Sequence, residues 1–187
     1  MKCIRDKCDI LVVSIFVNPT QFGPQEDLEQ YPRDFAGDED LCREQGVDVI
    51  FYPAEPAMYP DPYRTFITVE QLDRKMCGIS RPHHFRGVVT VVAKLFHIVK
   101  PHLAIFGEKD FQQAVIIRQM TRDLNFDVEV ITGPIIREED GLALSSRNRY
   151  LDAEDRRNAV VLSQSLELGK DLYRQGIRDA AGIIEKM

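Results

Sequence analysis

Gly107-Glu108-Lys109-Asp110-Phe111-Gln112-Gln113 joins the end of a short apolar run, Leu103 to Phe106, to a stretch with helical spacing. Open α/β sheets bind ligands at such turns, beyond the carboxyl ends of their strands. The free N–H groups and dipole of the helix start favour an anion. Gly107 permits close backbone approach and Lys109 adds a mobile positive charge. The same residues also have a purely structural use. Asp110 can cap the helix, and Gln113 can reach back to it as in a capping box.

Two further stretches carry potential chemistry. Asp140-Gly141-Leu142-Ala143-Leu144-Ser145-Ser146-Arg147-Asn148-Arg149-Tyr150 sets two hydroxyls beside two guanidiniums. Arginine's fixed fork of donors suits a phosphate clamp, although a solvated polar loop leading to a helix capped by Asp152 would read the same. Val17-Asn18-Pro19-Thr20-Gln21-Phe22-Gly23-Pro24 follows an apolar run. The amides of Asn18 and Gln21 could grip a hydroxy acid through paired donors and acceptors, or simply decorate a proline-directed turn. The adjacent His83 and His84 diverge and fit a loop or cap better than a shared metal. His97 and His102 read as surface or packed residues, and Glu138-Glu139-Asp140 as a solvated acidic turn.

The elements that must position these loops follow from periodicity. Ile10–Val17 predicts a strand buried on both faces, Phe35–Gln45 a helix ended by Gly46, and Val47–Tyr52 a second strand. That spacing is a βαβ unit. Thr65–Val69 suggests a short edge strand. Gly87–Val99 predicts a helix because Thr90, Lys94 and His97 would share one polar stripe. Leu103–Phe106 and Phe126–Thr132 are predicted strands around a helix at Asp110–Asp123, with an extended piece at Pro134–Arg137. A long helix is expected from Asp152 to about Gln175, and more helix beyond Gly176.

Composition bounds the function. A net charge of -6 provides no basic face for a polyanion, so nucleic-acid binding is not expected. Cysteines 3, 8, 42 and 77 form no Cys-x-x-Cys pair, which fits reduced thiols better than zinc or disulfides. No apolar run reaches the ~18–20 residues of a membrane span. Asp6 and Asp9 interrupt the one stretch that resembles a targeting segment, so a cytoplasmic location is expected.

Five segments together are specific. Val17-Asn-Pro-Thr-Gln-Phe-Gly23, Tyr31-Pro32-Arg33, His84-Phe85-Arg86-Gly87, Gly107-Glu-Lys-Asp-Phe-Gln-Gln113 and Asp140-Gly-Leu-Ala-Leu-Ser-Ser-Arg-Asn-Arg-Tyr-Leu151 resemble, in order and interval, the pantothenate synthetase family. The resemblance implies a Rossmann-like α/β fold with helices on both faces of a parallel sheet, akin to nucleotidylyltransferases. It implies a nucleotide-binding domain at 1–136, a signature loop with the start of a small C-terminal domain at 137–187, and a homodimer.

The implied reaction joins pantoate to β-alanine through pantoyl adenylate, consuming Mg-ATP and releasing pyrophosphate and AMP. By position, Gly107, Glu108, Lys109, Asp110, Ile136, Leu144, Ser145, Ser146 and Arg147 would line the ATP site. Ile136 would meet adenine through its backbone. Lys109, Arg147, Ser145 and Ser146 would face the reacting phosphates. Gln21 and Gln113 would hold pantoate, and Gln21 would also serve β-alanine. The family's N-terminal strand with a His-x-Gly-His-type motif has no counterpart in the sequence, and Met187 falls within the C-terminal domain. The expectation is therefore an open sheet and little or no synthetase activity, leaving as alternatives a nucleotide-binding or dimerisation module or a related adenylyl transferase.

Overall fold

A computed structural model describes residues 1–187, the side chain of Lys2 excepted. A short helix, Lys2–Arg5 (α1), precedes Val12–Ser14 (β1), Phe35–Glu44 (α2) and Val49–Phe51 (β2). β1 and β2 pair in parallel, Val12 opposite Val49 and Ser14 opposite Phe51, with α2 supplying the crossover that parallel pairing requires. The Asp34 side chain starts α2 by accepting the Gly37 N–H at 3.1 Å. Gly46, at φ 65°, turns the chain just past its end. Ile10 is 66% exposed and Ser14 is also exposed, so the first strand is shorter than the apolar run and not buried on both faces.

Two short helices, Glu55–Met58 (α3) and Cys77–Ser80 (α4), lead to the long helix His84–Val99 (α5). Leu103–Gly107 (β3), Phe111–Asp123 (α6) and Glu129–Gly133 (β4) repeat the strand–helix–strand unit, again in parallel. The described strands form two separate pairs, β1–β2 and β3–β4, rather than one continuous ladder.

Both pairs pack on α5. Val88, Val89, Val92, Ala93 and Phe96 are buried in one cluster with Ile116, Ile117 and Met120 of α6. Phe16 and Phe51 reach this cluster from the side of the first pair, and Ala104, Phe106 and Val130 from the second. A helix that is apolar nearly all round belongs inside. Thr90 departs from the predicted polar stripe. It is buried, its hydroxyl donating to the Arg86 carbonyl at 2.7 Å and accepting the Ile67 N–H at 3.0 Å. That bond takes the place of strand pairing at Thr65–Val69, which forms no strand.

By its contacts the chain divides into two units, Met1–Pro134 and Ile135–Met187. In the second, the predicted extended piece is reduced to one antiparallel bridge between Arg137 and Ala143, with Gly141 at φ 91° in the turn. Asp152 caps Ala153–Ala159 (α7), accepting the Glu154 and Asp155 N–H groups at 2.8 Å. The single long helix expected there breaks at Val160, and Val161–Arg174 (α8) follows. The Ser163 hydroxyl bonds back to the Val160 carbonyl at 2.9 Å, competing with the regular helical bond. Ala180–Lys186 (α9) returns against α8, and the Ser165 hydroxyl holds the Met187 carbonyl at 2.9 Å. Among the described residues no helix is long and apolar enough to cross a membrane.

Candidate functional site

Beyond β1 the chain turns through one 3-10 turn, Pro19–Gln21, whose polarity is fixed by Asn18. Asn18 is 3% exposed. Its Nδ2 donates to the Gly87 carbonyl at 3.1 Å and to Gln21 Oε1 at 3.2 Å. Its Oδ1 accepts from the Tyr59 hydroxyl at 2.7 Å and the Thr20 hydroxyl at 3.0 Å. Because a main-chain carbonyl can only accept, Gly87 decides which end of Asn18 is nitrogen. Gln21 must then turn Oε1 towards Asn18, leaving its Nε2 donors without a protein acceptor among the described residues. Asn18 and Gln21 are not a matched pair of ligand-binding amides. Asn18 is fully used as a support, and Gln21 retains donors to offer.

The main-chain carbonyl of Gln21 is held as well. His84 Nδ1 lies 3.0 Å from it and Arg81 Nη2 donates to it at 3.4 Å. Arg81 is gripped by Glu26 through two hydrogen bonds, Nε to Oε1 at 2.9 Å and Nη2 to Oε2. The Arg81 bond holds the Glu26 carboxyl below its ordinary range. Burial pushes His84 below its ordinary value, and the Arg81 charge adds to that shift. His83 is exposed. His-His therefore splits into one surface and one inward-facing side chain.

The β3–α6 turn is more open. Glu108–Asp110 form one 3-10 turn, and residues 107–110 are all exposed. A Cβ placed on Gly107 would meet nothing within 4 Å, so a ligand can approach the backbone there. Asp110 stands at the cap position of α6 without accepting a backbone N–H, and its carboxylate pairs with Lys109 Nζ at 3.0 Å instead. The capping-box reading therefore fails. The side chain of Gln113, which is half-buried, has no hydrogen-bond partner among the described residues. Its neighbour Gln112 is committed, accepting the Cys77 N–H at 3.1 Å and donating to the Leu72 and Lys75 carbonyls at 3.0 and 2.7 Å. The Asp110 charge also acts on His84, which places this turn within electrostatic reach of the Gln21 support.

In the second unit the Ser145 hydroxyl accepts the Arg147 N–H at 3.3 Å and starts the 3-10 stretch Ser146–Tyr150. Ile136 and Leu144 are 62% and 57% exposed. They face each other across the bridge, the Leu144 N–H donating to the Ile136 carbonyl at 2.9 Å. The acidic turn is not merely solvated. Arg156 bonds Glu138 at 2.5 Å and Asp140 at 2.8 Å, and Asn148 donates to Glu138 at 2.6 Å. The Arg156 bond holds Glu138 below the usual carboxylate range, and the Leu142 N–H does the same for Asp140. Sequence reasoning missed Arg156, whose only local signal is its place one helical turn after the Asp152 cap.

The family model described as pantoate-beta-alanine ligase matches residues 1–187. The pantothenate synthetase of Syntrophus aciditrophicus is 57% identical over 183 residues, 98% of this chain and 64% of the relative. That of Pelotomaculum thermopropionicum is 58% identical over 181 residues, again 64% of its length. The crystal structure of pantothenate synthetase from Thermus thermophilus superposes with a TM-score of 0.92 at 49% identity, covering 94% of this chain and 64% of that one. The Francisella tularensis pantoate-beta-alanine ligase, solved with beta-gamma ATP and beta-alanine, gives 0.84 at 38% identity, covering 89% and 64%. The chain thus spans a little under two thirds of the length of these relatives, and it shares their nucleotidylyltransferase-like α/β fold. The chain belongs to the pantoate-beta-alanine ligase family.

Proposed function

We propose that the chain performs ATP-dependent ligation of pantoate to β-alanine, in preference to the expected inactive fragment, because the turn that would hold pantoate is built within it. A pantoate carboxylate oxygen attacks the α-phosphorus of ATP, and the bond to pyrophosphate breaks. The β-alanine amine then attacks the carbonyl of the resulting pantoyl adenylate, a proton is lost, and AMP departs. Neither step needs a covalent enzyme intermediate. Alignment and cations facing the charge at phosphorus supply the rate. Support comes from relatives named for this activity and from the Francisella protein, whose structure carries beta-gamma ATP and beta-alanine.

The observation that carries the reading is the amide of Gln21, whose carbonyl end is consumed by Asn18 while its N–H donors lack a protein acceptor among the described residues. Donors of that kind suit the hydroxyl and carboxylate oxygens of pantoate, and Gln113 offers a second uncommitted amide. Gln21 also serves β-alanine in this reading. Gly107, Glu108, Lys109, Asp110, Ile136, Leu144, Ser145, Ser146 and Arg147 take ATP, with Lys109, Arg147, Ser145 and Ser146 at the reacting phosphates. The Lys109–Asp110 pair is exposed and weak, of order 0–1 kcal/mol, so a phosphate can claim the ammonium. Mg2+ enters with ATP. No cluster of three His, Cys, Asp or Glu side chains able to hold a metal exists among the described residues, and no step is assigned through the ion. A cytoplasmic homodimer completes the proposal.

The test is pantoate-dependent pyrophosphate release by the 187-residue chain, with AMP as final product once β-alanine is added. Lys109→Ala should abolish pantoyl-adenylate formation. Unchanged formation defeats the assignment, and pyrophosphate release that ignores pantoate points to another acceptor.

A further inference from the structure

The Gln21 turn is held from two directions, and the second hold carries chemistry of its own. A main-chain carbonyl only accepts hydrogen bonds, so His84 Nδ1, 3.0 Å from the Gln21 carbonyl, must carry a proton. A guanidinium only donates, so His84 Nε2, 3.3 Å from Arg81 Nη1, must be bare. Two partners of opposite polarity thus define a single neutral tautomer. Arg81 cannot drift from this arrangement, because Glu26 grips it at Nε and Nη2.

We infer that His84, as the neutral imidazole protonated on Nδ1, is a positioning residue that sets Gln21 for pantoate, with the Glu26–Arg81 pair enforcing its tautomer. This rests on the reading that Gln21 contacts pantoate. Gln21 ends a 3-10 turn of three residues, too short to hold itself. Asn18 fixes its side-chain carbonyl, and His84 with Arg81 fixes its main-chain carbonyl. Losing either anchor lets the Nε2 donors swing away from their target. Acid would release the second anchor. An imidazolium puts a new N–H against the Arg81 guanidinium, breaking one bond and opposing two positive charges. The charged groups acting on His84 are Arg81, which resists its protonation, and Glu26 and Asp110, which favour it. Burial of the ring sides with Arg81.

The experiment compares the 187-residue chain with its His84→Ala and His84→Gln variants. Pantoate binding is read by calorimetry between about pH 8 and about pH 5, the range in which histidine titrates. Glutamine can donate to the Gln21 carbonyl, accept from Arg81 and cannot titrate. We expect His84→Ala to weaken pantoate binding about tenfold at the alkaline end, as loss of one buried hydrogen bond does. His84→Gln should stay within about threefold of the parent and lose the parent's weakening at acid pH. Equal affinity of parent and His84→Ala across the range overturns the inference. If the folded parent binds no pantoate at all, the proposed function fails, and imidazole 15N NMR decides the rest. A bare Nε2 with a protonated Nδ1 at neutral pH, lost in Arg81→Gln, sustains the role of the pair. A proton on Nε2 overturns it.

Discussion

Replacing Gly87 by alanine adds one methyl group where α5 meets the Gln21 turn. An ideal Cβ there would lie 2.4 Å from the Thr20 carbonyl oxygen, 2.5 Å from the Thr20 carbonyl carbon and 2.6 Å from the Gln21 nitrogen, all backbone atoms that cannot rotate away. Ordinary C···O contacts begin near ~3.3 Å, so the turn and the helix must separate by about 0.9 Å. The Asn18–Gly87 bond, 3.1 Å in the structure, would then lie outside hydrogen-bond range. Overpacking costs about 1–3 kcal/mol and the broken buried bond about 1 kcal/mol. Alanine returns at most about 1 kcal/mol of helix propensity. The net loss, about 2 kcal/mol, lowers Tm by roughly 4–8 °C in a chain of this size. Thermal unfolding followed by circular dichroism measures it, and the Asn18 side-chain amide resonances should shift with it. A Tm equal to or above the parent's would refute the packing of this turn on α5.

Gln21→Glu exchanges donors for a carboxylate oxygen and should cut pantoate affinity about 100-fold or more while leaving Tm nearly unchanged, since the residue is only half-buried. Comparable affinity would mean that Gln21 does not present its N–H groups. Ile117→Ala removes a fully buried side chain from the cluster under α5 and should cost about 2–5 kcal/mol in urea unfolding. A pH series should show acid loss in two stages. His84 is neutral in both states above its ordinary value of 6.5, and below it the unfolded chain binds the proton first, so stability declines as pH falls from 6.5 through the lowered native value. Glu26 contributes above its ordinary 4.5, and that contribution disappears as pH falls from there through its lowered native value. A stability curve flat from neutral pH to about 5, with no change on His84→Gln, would contradict the first stage.

Much of the scaffold was legible because its signals are local. The valines of α5 with Lys100-Pro101 at its end, the Asp152 cap, and the two strand–helix–strand units can each be read within a short window, although α5 starts at His84 rather than at the expected Gly87. The stripe of Thr90, Lys94 and His97 gave the right helix with a wrong detail, since Thr90's hydroxyl is satisfied by Arg86 and Ile67 and so can be buried. The site was legible by residue type and not by role. Asn18 and Gln21 carry the same chemistry, as do Gln112 and Gln113. Which member of each pair is consumed depends on Gly87 and Tyr59, 69 and 41 positions from Asn18, and on Leu72 and Lys75, 40 and 37 positions from Gln112. No sequence window spans those separations. The Arg156 clasp on Glu138 and Asp140 escaped notice for the same reason, being 18 and 16 positions away.

Because no ladder bonds join β1–β2 to β3–β4 among the described residues, these halves meet largely through packed side chains, with α5 at the centre of the cluster. Interdigitated side chains slide more readily than paired strands part, so small shear movements at α5 are the natural soft mode of this unit. Amide exchange should then show the two pairs opening as separate cooperative blocks, with α5 exchanging last. The turn carrying Gln21 and the turn carrying Lys109 ride on different blocks, so a ligand bridging them would slow exchange in both at once.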